Sequence, residues 1–329
     1  MNKKRLILSR HGLRYTFFDR AKSLKIFNKD IVNWEDDKLG NGFLTQKGIK
    51  IEEQFGKFLK EFLKIDSQTK IKTIANSIDR TYKTAQTLLQ NMQPEKDNDI
   101  FVTDPNLNTH ENRFDIKLSD ITNIDFNLLN VLDKESKSAY QKIIDLFNIE
   151  NSNYLNIKNN VSHNEKNDWL NTEGPLFWTS SFSDLLQSKY YDGVDQNKIF
   201  QSNNFIEDLK LISKTKDRVI DLLWTNKDVL VNSEENIYHF LKDELTKVED
   251  LTLLVGHDVS IAPILKMLDV KMPEHNQLEK YPIGSKLLFE INGDGTFDLS
   301  YMFYDYNEIR SFKLTKPIVL KLGYNLHFK

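Results

Sequence analysis

The chain has 329 residues, more than one compact core usually holds, so either one large α/β domain or a core with a sizeable insertion is expected. With 39% apolar residues, 28% charged residues and a formal net charge of -3, it has the balance of an ordinary globular protein and no global basic field to draw it to nucleic acid or an anionic membrane. It has no cysteine, which excludes disulfides, thiolate catalysis and cysteine-ligated metals, and no apolar run nears the roughly 20 residues that span a bilayer.

In chain order, Arg5-Leu-Ile-Leu-Ser9 is a short apolar run that predicts a buried strand. The basic residues before it suit a signal-peptide start, but Leu6-Ile-Leu8 falls short of the about 7–15 residues of an apolar h-region. A cytoplasmic location is therefore expected, or a periplasmic or secreted one if a leader has been removed. From Thr45, a suitable N-cap, the spacing of Ile51, Phe55, Phe58, Leu59 and Phe62 predicts a helix. Lys70 to Ala75 reads as a second strand. It leads through Asn76-Ser77, with Ser77 as the expected cap, into a helix whose apolar face is Tyr82, Ala85, Leu88, Leu89 and Met92.

Strand followed by helix, twice, predicts an α/β sheet with crossover connections. Residues 105–245 are polar and follow helical spacing, as in Phe205 to Leu223, and the Asn-rich stretch 151–168 reads as a surface loop. Leu251-Thr-Leu-Leu-Val255 restores strand character and ends in Gly256-His257-Asp258, after which Ile261, Leu265 and Leu268 are helically spaced. Ser285 to Ile291 and Thr296 to Tyr304 are joined by Asn292-Gly-Asp-Gly295, a hairpin signal. The expected fold is α/β, with a mixed, mainly parallel sheet flanked by helices. Its core comes from 1–104 and 246–329, and 105–245 forms an α-helical insertion.

Ligands in open α/β sheets bind beyond the carboxyl ends of the strands. Three predicted strands end in Arg10-His11-Gly12-Leu13-Arg14, in Asn76 to Arg80, and in His257-Asp258. Together they supply three guanidinium groups, two imidazoles and a carboxylate. That set suits an anion with three peripheral oxygens, because arginine presents a planar fork that matches phosphate. Phosphoryl transfer needs charge stabilisation, an in-line nucleophile and a proton for the departing oxygen. A neutral histidine held in one tautomer is a competent nucleophile, a carboxylic acid can protonate the leaving group, and Gly12 would let the backbone come close to the phosphate.

Arg10-His11-Gly12-Leu13-Arg14 resembles the signature of the histidine acid phosphatases, and Gly256-His257-Asp258 resembles their distal His-Asp pair. Ala75 to Gln86, Thr179 to Asp184, Tyr190-Tyr-Asp-Gly193 and Tyr281 to Lys286 are similar to the bacterial glucose-1-phosphatases of that family, relatives of the bacterial phytases. The similar blocks run in order from residue 5 to about 305. The resemblance implies a phosphomonoester hydrolase without metal or other cofactor, acting on a small phosphate ester such as glucose 1-phosphate. His11 would form a phosphohistidine, Arg10, Arg14, Arg80 and His257 would hold the phosphate, and Asp258 would donate the proton. The chain departs from the family where Thr16 stands in place of a proline, and in lacking the disulfides of secreted relatives.

Each residue also has a plainer reading. His11 could satisfy backbone groups at a strand end, Arg80 could lie on a helix surface, and Asp258 could be a first-turn carboxylate favoured by the helix dipole. His110, His163, His239, His275 and His327 show no ligand spacing and read as ordinary residues. Phe177, Trp178, Tyr190 and Tyr191 suit either the core or a substrate pocket. Competing functions are an inositol phosphate hydrolase, if Lys22, Lys25 or Lys286 widened and charged the site, a phosphoglycerate-mutase-like enzyme, and a non-catalytic phosphosugar-binding protein. Substrate choice is expected in the loop at about 17–43 and in the insertion. Sequence leaves the oligomeric state open.

Overall fold

The computed structural model describes residues 3–31, 42–96, 99–149, 152, 154–273 and 275–328. Much of the loop expected to govern substrate choice, 32–41, lies outside them. The first half of the chain forms β1 (Arg5–Arg10), α1 (Arg20–Phe27), α2 (Gln46–Leu63), β2 (Ile71–Ala75), α3 (Asp79–Met92) and β3 (Ile100–Phe101). Next come α4 (Phe126–Glu135), α5 (Lys137–Phe147), β4 (Asn160–Asn164), β5 (Trp169–Glu173), α6 (Pro175–Asp192) and α7 (Gln196–Ile199). These are followed by α8 (Phe205–Trp224), α9 (Lys227–Asn232), α10 (Ile237–Thr246), β6 (Leu251–Gly256) and α11 (Asp258–Met267). The chain closes with β7 (Lys286–Ile291), β8 (Phe297–Phe303), α12 (Tyr306–Ser311) and β9 (Ile318–Leu326).

Seven strands form the central sheet in the order β3-β2-β6-β1-β7-β8-β9. The ladders among β3, β2, β6 and β1 are parallel, and those among β1, β7, β8 and β9 antiparallel. Five strands thus share one direction, giving the mixed sheet the sequence implies. Alternation along β1 explains its two coverings. Ile7 belongs to an apolar cluster with α2, α3, α6 and α8, whereas Leu6 and Leu8 join the cluster of α9, α10 and α11 on the other face. The wholly buried β6 is apolar throughout because both its sides are covered.

Among the described residues, no strand of this sheet comes from 105–245. That stretch is largely helical, but Asn160–Asn164 pairs antiparallel with Trp169–Glu173, so the polar run expected to be a loop holds a hairpin. Its alternation is weak because only Val161 and Leu170 turn into the core, which is why composition hides it. Thr45 caps α2 as expected, its hydroxyl accepting from Gly48 N at 2.9 Å. Ser77 does not cap α3, whose N-cap is Ile78. The Ser77 hydroxyl instead accepts from Thr103 N and Asp104 N, pinning the chain after β3.

Candidate active site

The adjacent parallel strands β2, β6 and β1 end level, with Ala75 and Ser9 both paired to Val255, so the residues that follow emerge side by side. Backbone bonds continue just past the ladders, from Asn76 N to Val255 O and from His11 N to Gly256 O, both at 3.0 Å. The chain ends expected to converge therefore do so. Arg10, His11, Arg14, Arg80, His257 and Asp258 form one constellation.

His11 is buried, and its Nδ1 lies 2.8 Å from the Gly12 carbonyl. A carbonyl only accepts, so Nδ1 carries the proton and Nε2 keeps its lone pair. Burial first, then Arg80, Arg14 and Arg10, hold the imidazole well below its usual pKa, so it is neutral at physiological pH. Its ring meets that of His257 edge-on, centroids 5.4 Å apart. The Asn76 amide is oriented by Glu111 N, which donates to Oδ1 at 3.1 Å, so Asn76 Nδ2 donates to His257 Nε2 at 2.9 Å. The His257 side chain also faces Ser260 N in the capping box that opens α11, so the ring is held between Asn76 and that helix. Burial, followed by Arg80 and its histidine neighbours, keeps it neutral.

The guanidinium groups differ in their partners. Arg10 is enclosed, with Nη2 3.1 Å from Asp258 Oδ2 and Nη1 2.9 Å from Glu279 Oε2, and it also donates to the Tyr281 carbonyl. Arg14 Nη2 pairs with Asp184 Oδ2 at 3.0 Å. Arg80 has no ion-pair partner among the described residues, and burial together with Arg14 presses its pKa down to about 9. The Nε donors of all three arginines are buried without a hydrogen bond, so the cage has unused donors pointing inside the protein. Phe17, 43% exposed, lies over two of these cations, its ring centroid 4.5 Å from the Arg14 guanidinium carbon and 5.2 Å from that of Arg80.

Asp258 opens α11 in the first turn, where the helix dipole favours a carboxylate, while His257 occupies the N-cap. Burial would raise its pKa, but Arg10, Lys216, Arg14 and His257 together hold it well below the usual carboxylate range. As the site stands, Asp258 is ionised.

Sequence reasoning assigned no site role to several participants. Lys216 on α8 places Nζ 3.0 Å from Asp184 Oδ1, 2.9 Å from Glu279 Oε2 and 3.4 Å from Asp258 Oδ2. Against burial and Arg10, those carboxylates lift its pKa to about 12. Asp184, in one of the blocks that resemble the phosphatases, is lowered to about 2 because Arg14 and Lys216 outweigh its burial. His110, expected to be ordinary, stacks on His257 with centroids 4.9 Å apart and Nδ1 3.3 Å from Asp115 Oδ2, and burial with Arg80 lowers it to about 4. No motif spacing could reveal these contacts, which arise between segments remote in sequence.

Other expectations need correcting. Gly12 does not offer its amide to a ligand, because Gly12 N donates to Thr84 Oγ1 at 3.0 Å. A Cβ there would stand 2.9 Å from Glu52 Cγ, so the glycine is required by packing. Lys286 is fully buried against Glu52 at 2.9 Å and is unavailable to substrate. Lys25 is exposed, and Lys22 donates to the Phe17 carbonyl at the rim. Phe177, Tyr190 and Tyr191 are core residues, Tyr191 donating to Glu279 Oε1 at 3.4 Å. Thr16 fixes its turn by accepting from Phe18 N, which supplies locally the restraint a proline would give.

No family model matches the chain. Glucose-1-phosphatase of Salmonella typhimurium is 24% identical over 352 residues, covering 96% of this chain and 83% of that protein. Among solved structures, Hafnia alvei phytase in complex with tartrate superposes with a TM-score of 0.78 at 15% identity, covering 98% of this chain and 91% of that one. The phytase from Citrobacter braakii gives 0.77 at 15% identity, with the same coverage. The likeness to these structures is one of fold, whereas the likeness to the first is one of sequence along nearly the whole chain. The chain is thus similar in sequence to a glucose-1-phosphatase along nearly its whole length and shares the fold of these phytases.

Proposed function

We propose that this protein hydrolyses small phosphate monoesters, sugar phosphates such as glucose 1-phosphate foremost, through a phosphohistidine on His11. The observation that carries the reading is a neutral, buried imidazole with its Nε2 lone pair free, beside three guanidinium groups whose Nε donors are unused. His11 Nε2 attacks phosphorus in line, and Arg10, Arg14, Arg80 and His257 surround the phosphoryl oxygens as charge spreads over them. The ester bond breaks and the departing oxygen takes a proton from Asp258. Water then attacks the phosphohistidine and gives its proton to the Asp258 carboxylate, releasing phosphate and restoring His11. The cationic side chains supply the charge stabilisation, so a chelator should leave the rate unchanged.

Asp258 must gain a proton before it can give one, although the free site holds it ionised. A monoester monoanion brings that proton in: its second ionisation lies near pH 6, and its phosphate offsets the cations that depress Asp258. A sugar phosphate is favoured over an inositol polyphosphate. Lys286 is sealed away, and Asp184 and Glu279 stand among the cations where a polyanion would meet repulsion. The relative it resembles in sequence is a glucose-1-phosphatase, which supports the sugar phosphate, whereas the phytases share only its fold.

The test is an Asp258→Asn variant assayed on two leaving groups. Turnover of glucose 1-phosphate, whose alcohol needs a proton, should fall about 10²–10⁴-fold. A nitrophenyl phosphate, whose phenolate leaves unaided, should form phosphohistidine far closer to the wild-type rate. Equal losses on both would sink the acid role, and a His11→Ala variant that still turns over would sink the nucleophile.

A further inference from the structure

Behind the nucleophile, outside the set of groups that meet substrate, lies an ion pair with both side chains at 0% exposure, Glu52 of α2 and Lys286 of β7, 2.9 Å apart. Lys286 Nζ also donates to the Gly284 carbonyl at 2.7 Å and lies 3.9 Å over the Phe55 ring, one helical turn beyond Glu52. Glu52 Oε1 has no hydrogen bond. Taking two charges out of water costs several kcal/mol for each ion, and well-packed apolar residues in their place are often as stable or more so. Stability alone therefore does not account for this pair.

Its position does. Glu52 wedges between two glycines: a Cβ on Gly12 would stand 2.9 Å from Glu52 Cγ and 3.1 Å from Oε1, and one on Gly284, which has φ of +65°, 2.5 Å from Oε1. Those glycines bracket the nucleophile. Gly284 N donates to the His11 carbonyl at 3.1 Å, and the Gly12 carbonyl accepts from His11 Nδ1. Helix α2 is fixed to the same loop at its start, where Thr45 N and Oγ1 both donate to the Leu13 carbonyl. The pair thus ties α2, the turn before β7 and the β1 loop into one support.

We infer that Glu52 and Lys286 are positioning residues, a charged wedge that holds the His11–Gly12 backbone so that Nε2 faces phosphorus in the right tautomer. The inference rests on the phosphatase reading above. A misplacement of about 1 Å from outside the reacting groups can cost on the order of 10²-fold in rate.

The experiment is the double variant Glu52→Leu, Lys286→Met, which removes both charges and leaves neither unpaired. It should melt no lower than wild type, while kcat on a nitrophenyl phosphate and the single-turnover rate of His11 phosphorylation fall about 10–100-fold. Inhibition by inorganic phosphate and KM should change little, because the cage that binds the anion is untouched. Wild-type kcat in a folded double variant overturns the positioning role, as does a loss confined to KM. Should the double variant fail to fold, Glu52→Gln, which keeps the shape, is measured instead, with the same split expected and wild-type kcat again overturning the role. Wild-type protein run alongside separates the two ideas: absence of His11 phosphorylation there defeats the phosphatase reading itself, whereas equal rates in both proteins defeat only the wedge.

Discussion

Arg80 stands in the site without a carboxylate partner among the described residues, whereas Arg10 is gripped by Asp258 and Glu279. Removing these two cations should therefore have opposite effects on the free protein. Arg80→Met deletes an uncompensated buried charge, so its melting temperature without ligand should hold or rise, while inhibition by inorganic phosphate weakens about 10–100-fold. Arg10→Met breaks two buried ion pairs, leaving Asp258 and Glu279 to Lys216 alone, and should lose about 3–5 kcal/mol. Thermal melts with and without phosphate decide the matter, and equal destabilisation in both variants would contradict the assignment. Sequence singled out both arginines but not their difference, because pairing depends on Glu279, some 270 residues from Arg10. His110 escaped for the same reason, since its stacking partner His257 lies on another strand end.

Helix α2 shows how an element can be legible in outline while its purpose is hidden. Its apolar spacing and its Thr45 cap are written in the sequence, yet Gly48 and Glu52 read as ordinary helix residues. In the structure a Cβ on Gly48 would collide with the Leu13 carbonyl, the same group that Thr45 holds. Gly48→Ala should gain helix propensity and still destabilise the protein, by about 1–3 kcal/mol, as the helix is pushed off the loop after β1. Denaturant unfolding measures this, and a stabilised variant would show that the contact is looser than described. Ser77 teaches the converse. A serine before a helix signals a cap, but tertiary contacts with the segment after β3 claimed its hydroxyl first. Strand β9 and the hairpin of β4 and β5 leave little trace in the sequence because their burial patterns barely alternate.

At the scale of the molecule, the site joins β1, α3, α8, α11 and the approach to β7, and its charge balance belongs to no single segment. That balance sets two responses to pH. His11 and His257 have folded pKa values well below 6.5, so the unfolded chain takes up protons that the fold refuses. Stability should thus decline as pH falls below about 6.5, by up to about 1.4 kcal/mol per unit for each histidine. Asp184, lowered to about 2, adds stability that is present above about pH 4 and lost as pH falls through 2. Activity should run the other way. With Asp258 ionised in the free site, kcat/KM should fall as pH rises through the second pKa of the ester, and the bend should move with substrate. A bend that stays fixed across esters of different acidity would point to an enzyme group instead. The sheet order carries one more consequence. Between the end of β1 and the start of β6, the first of its two partners, lie about 240 residues, and β7 comes later still. On a ribosome adding about 5–20 residues per second, β1 waits on the order of tens of seconds with both edges unpaired. The apolar stretch that delivers His11 is therefore a part of the nascent chain that needs shielding, and the site is incomplete until nearly the last strands have emerged.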